Sequence, residues 1–361
     1  MLIGFWSFAI AVAFIPGVIS GATVPRWAII ALAPLFLLDE SRRKPLQSVH
    51  YIGLAFLAWC LLSFTWSAAP LDGIDEMAQL LICAAVFVLG GRLYTMRPVY
   101  IGMGLGLWVS SAVIIIQRFF DPFIVWPGTA SAPSGIFINA DTAAEIAALV
   151  MVGAFVHRIY WLIPGLLPAV ILCKGRSVWV AVGAVAILWT WRRSKPAAIG
   201  IVGLGIGLAM TSYFVGFKLG STLQRIEIYV DTLQGMTFWG HGLGSFRPIF
   251  PYYATHIDTF HLIIENAHSD LLEYWFDLGP GALLLFGVFA IALSKTEAID
   301  HLVLVCFTIE ATLGFPSHLP ATAFLAACVA GFLCKGRDSV RDIAMRWGVL
   351  LQRKLLAKIG N

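Results

Sequence analysis

The ionisable residues of this chain are few and concentrated. Residues 216–268 and the position just beyond them hold Arg225, Asp231, His241, Arg247, His256, Asp258, His261, Glu265, His268 and Asp270. Histidine accepts or delivers a proton near neutral pH, so the loop histidines His241, His256, His261 and His268 are all candidates for proton transfer. Arginine keeps its charge at any working pH and offers a planar fork of donors that matches phosphate oxygens. Arg176 and Arg225 therefore suit a diphosphate, while Arg247 enters on local charge alone. Asp270 and Asn139 are candidate supporting groups. The run Gly240-His-Gly-Leu-Gly-Ser-Phe246 offers flexible backbone and free N–H groups, but it lacks the Gly-Lys-Ser/Thr ending of a nucleotide-binding loop. His256, Asp258, His261, Glu265 and His268 contain no HExxH pattern, so no metal site is expected.

What must position these residues is a membrane domain. Of 361 residues, 59% are hydrophobic and 12% charged, more apolar surface than one water-soluble core of this length could cover. Apolar windows, each read as a membrane-crossing helix, fall at 3–20, 27–38, 51–66, 77–91, 99–117, 143–156, 160–173, 177–191, 197–215, 269–293, 299–316 and 321–334. The expected architecture is all-α, with about twelve spans and one large loop, 216–268, between the ninth and tenth. Residues 1–334 form a single transmembrane domain. The first apolar run has no cleavage motif after it and reads as the first span. Six cysteines, none in a CxxC pair, read as small apolar residues rather than a disulfide frame or zinc knuckle.

Loop charge sets the sidedness. With the N-terminus in the cytoplasm, seventeen of the 24 Lys and Arg lie on cytoplasmic segments, as the positive-inside rule requires. Both termini then belong in the cytoplasm, and the loop 216–268 lies outside. Residues 335–361 gather Val340, Ile343, Trp347, Leu350, Leu351 and Leu355 on one helical face, with basic residues mostly elsewhere. This is the pattern of an amphipathic tail lying on anionic lipid. A net charge of +4 gives no argument for a nucleic-acid partner. Arg176, Arg225 and Arg247 are basic residues that stay outside against the rule.

Several segments together resemble the signature region of the bacterial O-antigen ligase and O-antigen polymerase superfamily. They are Phe137-Ile-Asn139-Ala-Asp141, Lys174-Gly-Arg176-Ser-Val-Trp179, Arg225-Ile-Glu-Ile-Tyr229, Gly240 to Phe246, Asn266-Ala-His268-Ser269-Asp270, and Asp277-Leu-Gly279. The resemblance covers residues 135–290. Ser269 and Gly279 fit the ligase spacing after the histidine, whereas Ala282 stands where Gly, Thr or Tyr is usual. The resemblance implies a GT-C-like fold in the bacterial inner membrane, with its active site facing the periplasm. It further implies inverting, metal-independent glycosyl transfer from an undecaprenyl-diphosphate-linked glycan, without a cofactor. Arg176 and Arg225 would grip the diphosphate, and His268 would serve the acceptor hydroxyl. The acceptor would be lipid A-core for a ligase, a second lipid-linked glycan for a polymerase, or a protein by kinship with oligosaccharyltransferases. A different class, a lipid-linked glycan flippase or transporter, also fits about twelve spans. It predicts charge near the bilayer midplane rather than in one outer loop.

Overall fold

The computed structural model describes residues 2–15, 22–37, 47–125, 133–137, 139–173, 175–203, 220–257, 264–295 and 299–335. The regular structure among these residues is entirely helical. The first half runs through α1 (Leu2–Val12), α2 (Val24–Ile30), α3 (Ala33–Leu37), α4 (Ser48–Ser63), α5 (Pro70–Arg92), α6 (Arg97–Phe119), α7 (Ala140–Val156), α8 (Ile163–Leu172) and α9 (Arg176–Trp191). A helix over residues 195–203, α10, continues to the limit of the described residues. Beyond it come α11 (Gly220–Gln234), α12 (Phe246–Ile249), α13 (Asp270–Leu278), α14 (Ala282–Leu293), α15 (His301–Leu313) and α16 (Pro320–Leu333). The predicted tail, apart from Lys335, lies outside the described residues.

Each predicted apolar window overlaps a helix or two consecutive short ones, the first only over 3–12 and the ninth only over 197–203. Length and composition qualify three of them to cross a membrane: Pro70–Arg92, Arg97–Phe119 and Asp270–Leu293. The other apolar helices run 10–17 residues. One boundary moves in a way that matters. The fourth window, read as starting at 77, begins at Pro70. Proline fits the first turn because its missing N–H has no intrahelical partner there, and Asp72 complements the positive helix end. Asp75 and Glu76, which looked like loop residues, are therefore helical.

Close helix approach rests on small residues, as expected where lipid supplies no hydrophobic drive between helices. On α5 and α16, a Cβ built on Gly90 would stand 2.1 Å from the Cys328 carbonyl oxygen. One on Gly331 would stand 1.9 Å from that of Phe87. Indole N–H groups close several helix ends by donating to carbonyls: Trp6 to Ile29 at 2.9 Å, Trp59 to Leu278 at 2.9 Å and Trp108 to Leu162 at 3.0 Å.

The bundle has two chemically different ends. At one, Arg92 donates to the Leu37 carbonyl at 2.7 Å, Arg192 meets His301 at 3.2 Å, and Asp300 accepts from Tyr100 at 2.9 Å and pairs with His157 at 2.8 Å. At the other, the ends of α4, α6 and α15 meet the starts of α5, α7, α9 and α13 and the loop after α11. The end of α6 is anchored there by Gln117, whose Oε1 accepts from Ser134 N at 3.0 Å and Gly135 N at 2.7 Å.

Arg26 belongs to this second end and is 1% exposed. Its guanidinium donates to the carbonyls of Ala22, of Ile10 at 3.1 Å and of Ala11 and Ile136 at 3.3 Å. It also stacks over the Phe137 ring at 4.1 Å. Backbone carbonyls and one π face, rather than a carboxylate, satisfy this cation.

A branched side chain at the α5–α16 crossing should be poorly tolerated. Gly331→Val is expected to lower the thermal midpoint of the purified protein, at an overpacking cost of about 1–3 kcal/mol or more. Gly183→Val, where a Cβ meets nothing within 4 Å, should leave the midpoint within error in the same detergent melt.

Candidate functional site

The site assembles from helix ends. Asn139 caps α7, its side-chain oxygen accepting from Asp141 N at 2.9 Å, which satisfies one orphan donor of the first turn. That cap fixes Asp141 in the first turn of α7. Gly175 is buried beside it: a Cβ there would lie 3.1 Å from the Ala144 Cβ and 3.6 Å from Asp141 Oδ1. The starts of α7 and α9 are thus adjacent, with Arg176 exposed at the first turn of α9. Two helix N-termini at one place make a positive field suited to an anion.

The loop helix α11 docks against this pair. Arg225 Nη2 donates to Asp141 Oδ2 at 3.1 Å, and Nη1 donates to the Leu313 carbonyl at 3.1 Å. The ion pair is partly open, its side chains 28% and 37% exposed, so its contribution is orientation more than stability. One turn along α11, Tyr229 donates to the backbone carbonyl of His268 at 2.8 Å. Ile228, Asp231 and Thr232 are buried, whereas Leu233 is 55% exposed.

His268 sits at the turn into α13 with φ +53°, a left-handed conformation that a non-glycine residue adopts at a cost. Its ring stands edge-on to Phe315 at 5.3 Å. Nδ1 is buried without a hydrogen-bond partner. Burial first, and then the Arg225 charge, push its pKa down from 6.5 to about 4, so the imidazole is neutral and can accept a proton. The turn is held from behind: Glu273 Oε2 accepts from Ala267 N at 2.7 Å, and Asp270 N donates to the Gly314 carbonyl at 3.0 Å.

The structure therefore brings together Arg225, Asn139, the Gly175-Arg176 turn and His268. Asp270 stands one turn behind, its Oδ2 accepting from Ser317 N at 2.9 Å. Two predicted residues go elsewhere. His241 is committed to the loop fold, with Nε2 on the Gly235 carbonyl at 2.7 Å and its ring 4.5 Å from Phe276. Arg247 is exposed on α12, and no described contact links it to Arg225, Asp141 or His268. His261 lies outside the described residues.

The glycine run is also corrected. Its N–H groups are already used: Gly242 N donates to the Asp277 carbonyl at 2.8 Å, Leu243 N to Ser63 Oγ at 3.1 Å and Gly244 N to Asp277 Oδ2 at 2.8 Å. Gly242 and Gly244 have positive φ and press on Ser67 and Gly73. The run is a packed clasp between the loop, α5 and α13. A loop acid, Asp231, forms a second clasp, accepting from His256 Nδ1 at 2.6 Å and Thr255 Oγ1 at 2.9 Å. Burial would raise its pKa, but those bonds, with the backbone N–H groups of both residues, prevail and lower it.

Sequence reasoning missed the partners of the named residues. Asp141 as the counter-ion of Arg225, Tyr229 as the anchor of His268, and the Leu313 carbonyl were not singled out. Asp141 had a signal, its place two residues after the Asn139 cap, and so did Tyr229, four residues from Arg225 on one helical face. Fold and site together define an all-helical protein with helices fit to cross a membrane and a half-buried arginine–histidine site at one end of the bundle. No family model and no curated protein sequence matches the chain.

The backbone at His268 and its lowered pKa make two expectations. His268→Asn, which accepts the left-handed region, should keep the thermal midpoint, whereas His268→Val should lose about 1–2 kcal/mol. The unfolded chain binds the proton at 6.5 and the folded one only near 4, so this histidine's contribution is complete above pH 6.5 and lost as pH falls towards 4. The drop in stability over that window should be smaller in His268→Asn than in the wild type, though not abolished. His318, lowered to about 4 by burial, adds a drop of the same sign.

Proposed function

We propose that the protein is a membrane glycosyltransferase of the O-antigen ligase kind, working at the periplasmic face of the bacterial inner membrane. It would move a glycan from an undecaprenyl-diphosphate carrier onto an acceptor hydroxyl of lipid A-core. The observation that carries this reading is the convergence of Arg225, held by Asp141 and the Leu313 carbonyl, with the neutral imidazole of His268. These groups come from segments far apart in sequence, and they are the residue types that diphosphate departure and hydroxyl deprotonation require.

The chemistry balances with the groups present. The acceptor oxygen forms a bond to the anomeric carbon from one face as the bond from that carbon to the diphosphate oxygen breaks on the other, inverting the centre. The hydroxyl proton passes to the His268 imidazole, and the electron pair of the broken bond leaves with the lipid diphosphate. Growing charge on the departing oxygen is the main barrier, and fixed cationic donors lower it most when held in place beforehand. Two of the five guanidinium N–H donors of Arg225 are engaged by the protein, leaving the others for phosphate oxygens. Arg176, exposed beside the two helix starts, adds a second cation on the same side.

Purified protein incubated with lipid-linked glycan and lipid A-core should give conjugate only when the core is present. A ladder of longer lipid-linked chains without core would make it a polymerase, and movement of intact lipid-linked glycan across a vesicle with no new bond would make it a flippase. Arg225→Ala should lose about 10²–10³-fold in rate, and His268→Asn about 10²–10⁴-fold. Reporter fusions should place the loop 216–268 in the periplasm and both termini in the cytoplasm.

A further inference from the structure

Behind His268, a second cluster of polar groups lies deeper in the helices and takes no part in the chemistry above. Glu76 comes from α5, Asp270 and Glu273 from the first turn of α13, and His318 from the turn between α15 and α16. The ligand atoms of Glu76, Glu273 and His318 lie within 4.8 Å of one another. We propose that Glu76, Glu273 and His318, joined by Asp270, bind one divalent transition-metal cation of the zinc or manganese class.

Four observations support the site. His318 Nε2 lies 3.4 Å from Glu273 Oε1 and 3.6 Å from Asp270 Oδ1, yet Nε2 and Asp270 Oδ1 are both buried without a hydrogen-bond partner. Asp270 itself is only 2% exposed. Two atoms each about 2.1 Å from one ion stand about 3–3.5 Å apart, which the pair His318–Glu273 matches and the pair His318–Asp270 approaches. Next, the two carboxylates from α13 are oriented from behind. Glu273 uses its other oxygen to accept from Ala267 N at 2.7 Å, and Asp270 uses its own to accept from Ser317 N at 2.9 Å. That leaves Oε1 and Oδ1 turned to His318, as outer-shell bonds orient metal ligands.

The ring plane of His318 is set in turn by Tyr274, stacked on it at 5.9 Å and 16°. Finally, a bound cation would balance carboxylate charge. Three carboxylates face a single imidazole, and among the described residues the ion-pair partner of Asp270 and Glu273 is His318. Buried carboxylates without a counter-charge are costly. Glu76 and His318 also line an apolar cavity of about 240 Å³ between α4, α5, α14 and α16, which leaves room at the site. Imidazole among carboxylates favours zinc or manganese over magnesium or calcium.

A cation here would join α5, α13 and the 316–318 turn, two residues from His268. It carries no step of the proposed transfer and stands or falls separately from it. The test is elemental analysis of tag-free, full-length protein in detergent, followed by thermal melts with chelator and with added ions. The expected result is about one zinc or manganese per chain, a midpoint lowered by chelator, and its recovery with zinc or manganese chloride but not magnesium chloride. Glu76→Gln and His318→Ala should weaken retention by on the order of tenfold or more, while His50→Ala, a cavity residue outside the cluster, retains the metal. Wild-type protein that carries no stoichiometric metal and melts unchanged with chelator and with added zinc or manganese overturns the proposal, whether or not the variants fold. Full retention in both ligand variants overturns it as well.

Discussion

The contact on which the rest of the site depends is the pairing of Arg225 with Asp141 and the Leu313 carbonyl. It is the point at which the loop helix α11 meets the start of α7 and the end of α15. Without it, Tyr229 would not be presented to the His268 carbonyl, and the left-handed turn into α13 would lose a support. A partly open ion pair contributes little to stability in a polar setting. Its value here is geometric. The guanidinium is already held by two protein acceptors, so binding an anion needs no fresh ordering of a long side chain.

Around that contact, the fold uses one device repeatedly: the ends of helices, not their middles, carry the polar groups. Orphan N–H and C=O groups must be satisfied somewhere, and in an apolar bundle the ends are where this can be done. Trp59, Gln117, Asp277 and the Asn139 cap perform this work at one end, and Arg92, Tyr100 and Asp300 at the other. Gathering so many helix starts in one place also gives that end its positive field.

How much of this was legible in the sequence differs residue by residue. Apolar windows located the helices. The arginines and His268 stood out because ionisable residues are scarce in such a chain. Asn139 stood out as a candidate supporting group, and the structure makes it the cap of α7. Glu76 was not, because a charged residue beside an apolar run looks like the end of a helix, whereas Pro70 starts α5 well before it. The glycine run misled for a related reason: spacing reveals where backbone is unhindered but not whether its N–H groups are already bonded to Ser63 or Asp277. His241 looked like a candidate base because a sequence does not reveal the carbonyl of Gly235 against its ring. Long-range partners such as Asp141 for Arg225 have no local periodicity to betray them.

Arg26 bears on how the chain is made. Its guanidinium rests on carbonyls of its own hairpin and on Ile136 and Phe137, more than a hundred residues further along. Synthesis from the N-terminus makes α1 and α2 long before that last carbonyl and ring exist. During this interval the first hairpin carries an incompletely sheltered cation. Until α6 and the segment after it arrive, one of its acceptor carbonyls and its π partner are missing. The first two helices thus depend on their successors for final seating, and the chain closes its N-terminal hairpin late in biogenesis.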